Sequence, residues 1–419
     1  MKGMYDLAII GGGAGGIACA KRAVKAGLKT ILFEKDRDNF GGTCLNRGCI
    51  PTKFFLNSAK LHKAWEDVYQ GKNDVVDGIK MPLISFLENK GLDIVWGDVY
   101  LVDKNTLSID GNTFHAKTVV VATGSSPREV FRHDKLVCAE DLFSLQTLPD
   151  KFLIVGGGYI GIEVASLLNG LGKEVVVVEK EDRILPAFDQ RVSNRLRIIL
   201  ETKGISVNTG KTISDYNLDE FDLIVLAVGR EPNIKTLGLD KVGVNLNNNG
   251  WIKTNKQMRT NIDNIYACGD VTGKVLLAYA AEYQAEICIK NITRGIIGNF
   301  SEEDYFALPL CVFSLPQLAR VGITEAQAKK SNLKHRVIRS NFLKFSSAYV
   351  YNDNDGFIQV IVDEEDTIIG AVIISNLAAE LINIFSLCVK NKLTLENLKG
   401  CVFVHPTLSE IIPLILKES

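Results

Sequence analysis

Two cysteines five positions apart sit among glycines in Gly41-Gly-Thr-Cys44-Leu-Asn-Arg-Gly-Cys49-Ile-Pro51-Thr-Lys53. On a regular helix a five-residue step rises about 7.5 Å, beyond the Cα separation of about 4.4 to 6.8 Å that a disulfide accepts. The backbone must therefore turn between them, which Gly48 permits, and Pro51 suits the first turn of a helix that starts there. At least one sulfur then lies near a helix N-terminus, where the dipole favours thiolate. The local chemistry fits a disulfide that opens and closes. A zinc site needs about four ligands, and the chain has no second closely spaced pair of cysteines, so no metal site is read. Cys19, Cys138, Cys268, Cys288, Cys311, Cys388 and Cys401 lack this setting and read as buried structural residues.

The elements that must position this pair are written twice. The first copy is a strand over Asp6 to Ile10, a glycine turn at Gly11, Gly13 and Gly16, a helical stretch to Ala26, and a second strand ending on Glu34. The second copy has the strand Phe152 to Val155, the turn Gly156, Gly158 and Gly161, a helix to Leu171, and a strand ending on Glu179. The interval from first glycine to acid is 23 residues in both, 34 less 11 and 179 less 156. Each unit predicts a helix whose N-terminal amides face a diphosphate, with the acid accepting from a ribose hydroxyl. Two adenine dinucleotides are implied. Two more apolar strands, Val119 to Val121 and Leu223 to Val228, run into Thr123-Gly124 and Gly229-Arg230, as buried strands of a parallel sheet do.

Past Asp270 the pattern reads as a helix over Leu276 to Arg294. It then changes to a hairpin, Phe357 to Val362 and Thr367 to Ile374 around the turn at Asp363 to Asp366, followed by a helix over about 378 to 391. The predicted architecture is α/β: two Rossmann-like dinucleotide-binding domains plus a C-terminal α+β unit that supplies an interface. The boundaries are 1–145 with 263–303, then 146–262, then 304–419.

At 419 residues the chain has room for several cores. With 46% hydrophobic and 23% charged residues it reads as a soluble globular protein. Forty-eight basic residues face 49 acidic ones, so no global field selects nucleic acid or an anionic membrane, and no apolar run reaches the length of a span. Nine cysteines at irregular spacing do not make a secreted disulfide framework, which points to a reducing, cytoplasmic setting.

The chain resembles the pyridine nucleotide-disulfide oxidoreductases along essentially its whole length, and within them the dihydrolipoamide dehydrogenases. The likeness rests on Gly41 to Lys53, both glycine loops, Ala122-Thr-Gly124, Ala227 to Asn233, Tyr266-Ala-Cys-Gly-Asp270 and His405-Pro-Thr-Leu-Ser-Glu410. It implies FAD in the first unit, with Asp270 near the ribityl chain and Lys53 near the flavin ring and paired with Glu163, and NAD in the second. It makes Cys44 the thiol that meets substrate, Cys49 the thiol against the flavin, and His405 a base oriented by Glu410. It also implies a homodimer in which His405 serves the other subunit's site, a lipoamide substrate, and the core of a 2-oxo-acid dehydrogenase complex as a partner. Alternatives are reduction of glutathione disulfide or another thiol partner, and a chiefly structural place in such a complex. Tyr279 and Phe403 stand where lipoamide dehydrogenases often carry histidine. His62, His115, His133 and His335 have no motif and receive no role.

Overall fold

A computed structural model describes residues 4–61, 63, 65–294 and 302–417. His62, and the stretch 295–301 beside the expected boundary at 303, lie outside the described residues.

The first unit is a sheet of seven strands. Tyr5–Ile10 pairs in parallel with Thr30–Glu34 on one side and Asn112–Val121 on the other, and Ile265–Ala267 returns late in the chain to pair with Asn112–Val121. The strands are apolar in near-continuous runs because both faces are covered. One face packs Leu7, Ile9 and Val120 against the helices Ala14–Lys25 and Ala278–Arg294, and the other packs Ala8, Ile10 and Val121 against Leu101, Leu107 and Leu239. An antiparallel meander at 100–121 extends this sheet, turning at Asp110 and Gly111, both with positive φ. The second unit is a five-stranded parallel sheet in which Lys151–Val155 lies between Glu174–Glu179 and Leu223–Leu226. A short antiparallel ladder, Ser125–Pro127 with Arg230–Pro232, carries the chain between the two units.

The C-terminal unit is a five-stranded antiparallel sheet, with the hairpin Phe357–Val362 and Ile368–Ser375 at its centre and the helix Ala378–Lys390 on one face. The hairpin falls where the alternating pattern places it, and the long helix before it starts at Ala278, two residues later than the periodicity suggests. The outcome is the expected α/β architecture with an α+β C-terminal unit.

One packing detail positions the cysteines. The helix Cys49–Lys60 buries Phe55, Leu56 and Ala59 in a core that also holds Phe152 and Ile162 of the second unit and Val312, Leu318 and Ile374 of the C-terminal sheet. Phe55 stacks on Trp65 with ring centres 3.8 Å apart. Losing a ring of that size from a core costs about 3 to 5 kcal/mol. The redox helix is thus clamped by all three units.

Candidate active site

Cys44 lies in the short helix Gly42–Asn46, and Cys49 is the first residue of the helix Cys49–Lys60. The turn between them runs through Arg47 and Gly48, both off helical geometry, and a side chain at Gly48 would sit 3.0 Å from the Thr43 carbonyl. The Cys44 thiol donates to the Cys49 sulfur, and this bond, with the Lys53 ammonium one turn on, lowers the Cys49 pKa to about 7. The same pairing, with burial, pushes Cys44 far up. The helix-start thiolate expected from Pro51 is therefore Cys49, which opens onto the cavity.

Lys53 reaches out of the Cys49 helix to Glu163 of the helix Tyr159–Gly170, Nζ to Oε2 at 2.8 Å. The other oxygen of Glu163 accepts the Phe313 amide at 2.9 Å, and the Lys53 ammonium stands 4.2 Å from the centre of the Phe313 ring. The expected Lys53–Glu163 pair is present. Phe313 was not legible as a partner, because its contribution is a backbone amide supplied from 150 residues away.

Both glycine loops have the same construction. A Cβ at Gly11 would fall 2.5 Å from the Ala122 carbonyl and one at Gly156 2.4 Å from the Ala227 carbonyl. Gly16 and Gly161 face inward instead, where a Cβ would lie 1.8 and 1.9 Å from the Gly11 and Gly156 carbonyls. They let helix meet strand and do not line the cavity. Glu34 and Glu179 each accept the amide of the middle glycine, Gly12 at 2.5 Å and Gly157 at 2.7 Å. Burial raises the pKa of Glu34 against those amide bonds. The helices Ala14–Lys25 and Tyr159–Gly170 begin at Gly13 and Gly158 with no side-chain cap. Their first-turn donors are left for an anion. The two loops open onto one cavity of about 2220 Å³ that also receives Cys44, Cys49, Lys53, Thr123, Gly124 and Asp270. Two phosphate-ready helix starts, two acids and a shared cavity fit two dinucleotides.

Arg230 lines the same cavity and is also tied into the fold. Its guanidinium ion-pairs with Glu140 and donates to the Ser125 hydroxyl and carbonyl, each at 2.6 Å. Ser125 donates in turn to Asp270 at 2.6 Å, and burial raises the Asp270 pKa against that bond. Thr123 and Asn233 bond each other reciprocally, at 2.7 and 3.0 Å. Gly124 and Gly229 take positive φ at 68° and 105° beside the ladder.

His405 and Glu410 stand apart from this. The turn Leu408–Glu410 before the helix Ile411–Lys417 brings them together, Nδ1 to Oε2 at 2.8 Å. His405 is 72% exposed and Glu410 13%. Neither lines the cavity within its own chain. Val402 and Val404 beside them are 98% and 74% exposed, an apolar strip with no cover.

The family model for pyridine nucleotide-disulphide oxidoreductases matches residues 5–285 and that for the family's dimerisation domain matches residues 308–414. The chain belongs to this family. Pyridine nucleotide-disulphide oxidoreductases bind FAD and use NAD(P), and the dimerisation domain supports a homodimer. The chain is 33% identical to the dihydrolipoyl dehydrogenase of Chlamydia muridarum, covering 98% of this chain and 96% of that one. It is 33% identical to the Bacillus subtilis dihydrolipoyl dehydrogenase, covering 97% and 94%. The copper(II) complex of the HOCl-induced flavoprotein disulfide reductase RclA from Escherichia coli superposes with a TM-score of 0.92 at 27% identity, over 99% of both chains. Among the described residues no helix is long and apolar enough to cross a membrane, and no cluster of metal-ligating side chains occurs.

Proposed function

We propose that this flavoprotein disulfide oxidoreductase is a dihydrolipoamide dehydrogenase that converts dihydrolipoamide and NAD⁺ to lipoamide, NADH and a proton. The observation that carries the reading is the Cys44–Cys49 pair poised beside the Lys53–Glu163 ion pair where three units meet. Near full-length likeness to two dihydrolipoyl dehydrogenases supports the substrate. FAD belongs with the Gly11 loop and NAD with the Gly156 loop.

The oxidised cysteine pair is the acceptor. His405 of a second copy, oriented by Glu410, takes a proton from one substrate thiol. The thiolate formed attacks the Cys44 sulfur and breaks its bond to Cys49, which leaves as thiolate. The second substrate thiol then displaces Cys44 and gives up its proton to the Cys44 sulfur, closing lipoamide and leaving the pair reduced by two electrons. Cys49 is suited to leave because the Lys53 ammonium holds its charge. Bound FAD supplies the route by which those electrons reach NAD⁺ as hydride.

A reductase of another substrate, such as glutathione disulfide, is the second reading. It is supported by the close superposition on RclA, and by Tyr279, whose hydroxyl is committed to the Pro309 carbonyl at 2.5 Å where a histidine often stands in lipoamide dehydrogenases. A chiefly structural place at the core of a 2-oxo-acid dehydrogenase complex would leave the isolated protein without turnover. The sparse cysteines fit a cytoplasmic setting. A panel of lipoamide, glutathione disulfide and mercuric ion with NADH, and of dihydrolipoamide with NAD⁺, tests the choice. Turnover highest with the lipoamide pair is expected, and turnover confined to another acceptor overturns it.

A further inference from the structure

Arg320 is among the charged side chains that line the cavity outside the glycine loops and the cysteine motif. Arg320 lies on the strand Gln317–Gly322 of the C-terminal sheet and lines the cavity together with Gly156, Gly158 and Tyr159. Its Nη1 donates weakly to the Gly322 carbonyl at 3.3 Å, and its buried Nε has no hydrogen-bond partner. No ion pair among the described residues includes it, in contrast to Arg230 with Glu140 or Arg339 with Glu325. A half-buried guanidinium without a carboxylate is costly unless an anion comes to it.

Its neighbours show which anion. The guanidinium carbon stands 5.7 Å from the centre of the Phe188 ring, and that ring lies 6.1 Å from Tyr159. Burial raises the Tyr159 pKa, and the Arg320 charge acts on that hydroxyl to lower it. Tyr159 is the first residue of the helix Tyr159–Gly170, whose N-cap Gly158 offers no side-chain oxygen. The segment carrying Phe188 is fixed against the same loop, because the Leu185 amide donates to the Gly157 carbonyl at 2.9 Å. The unpaired cation therefore sits one tyrosine side chain from an uncapped helix start of the kind that receives a diphosphate.

We propose that Arg320 is a diphosphate anchor for the dinucleotide of the second unit, delivered by the C-terminal sheet to a place beside Tyr159. Guanidinium geometry suits two phosphate oxygens at once, and the helix amides approach from the other side. The nucleotide is then gripped between two units. The inference rests on the family's use of a nicotinamide dinucleotide and not on which disulfide the enzyme serves.

Calorimetric titration of the FAD-loaded dimer with ADP-ribose, which carries the diphosphate and no nicotinamide, tests this apart from any turnover. Arg320→Gln should weaken ADP-ribose binding by about tenfold or more, with adenosine binding changed by less than about twofold, and Arg320→Lys should recover part of the loss. Tyr159→Phe leaves the arginine in place, removes the hydroxyl on which its charge acts, and should tighten ADP-ribose binding. The proposal is overturned if Arg320→Gln binds ADP-ribose within about twofold of the parent protein or loses adenosine equally. Should Arg320→Gln not retain its fold, unchanged or weaker ADP-ribose binding by Tyr159→Phe overturns the proposal by itself.

Discussion

Replacing Lys53 by methionine keeps the length of the side chain and removes its charge from beside Cys49. The two residues are one helical turn apart on the helix Cys49–Lys60, so their side chains stand about 6 Å from each other. At an effective dielectric near 20 a unit charge at that distance is worth about 2.8 kcal/mol, or about two pKa units. Cys49 opens onto the cavity, and screening from that side halves the effect to about one unit. The Cys49 midpoint, at about 7 in the parent protein, should rise to about 8 in Lys53→Met. The thiolate is present above its midpoint and lost as pH falls through it, so at neutral pH the variant should hold mostly thiol. The assay is thiolate ultraviolet absorbance against pH in the anaerobically reduced protein, taken as the difference from a Cys49→Ser control. Glu163 acts on Cys49 with the opposite sign, so Glu163→Gln should move the midpoint down. A midpoint that stays put in Lys53→Met, or shifts the same way in both variants, refutes the electrostatic account.

Three further outcomes follow from named contacts. Glu179 is buried beside the second loop, and Lys180 and Arg183 are each engaged with an adjacent acid, so kcat/KM for NADH should exceed that for NADPH by at least about tenfold; parity would overturn this. Arg230 and Glu140 are each 10% exposed, and Arg230→Met should lower stability by about 3 to 5 kcal/mol in urea unfolding, whereas a loss below about 1 would show that the latch at Ser125 and Asp270 carries little. A purified heterodimer of a Cys44→Ser subunit and a His405→Ala subunit should regain disulfide turnover that both parent homodimers lack; one with no activity above its parents would sink the shared site.

What the sequence disclosed were features that local backbone requirements impose. The cysteine spacing demanded a turn, and the turn is at Gly48. Gly11 and Gly156 must admit a carbonyl where a Cβ would otherwise stand, and both do. The hairpin at 357–375 followed from alternation and a charged turn. The meander at 100–121 was missed although Asp110-Gly111 is a hairpin signal, because its strands are short and one of them continues into the parallel sheet. What stayed hidden is set by contacts far apart in the chain. Asp189 precedes the helix Gln190–Thr202 but does not cap it; its carboxylate accepts the Glu325 and Ala326 amides, each at 3.0 Å, from a helix of the C-terminal unit. Arg230 read as a cofactor residue from its motif, and the fold adds that Glu140 and Ser125 take three of its donors.

The uncovered strip at Val402 and Val404 lies in the dimerisation domain, and dimerisation makes this protein's durability a matter of mass action. A dimer held by such a surface gains stability with the concentration of its own subunits, by about 1.4 kcal/mol for every tenfold. Dilution therefore works against the enzyme twice, loosening the fold around the C-terminal helix Ile411–Lys417 that follows His405 and leaving two apolar side chains open to water. A cell that makes little of it would keep a smaller fraction in working order, and a cell that makes much of it would hold a sturdier protein from the same sequence.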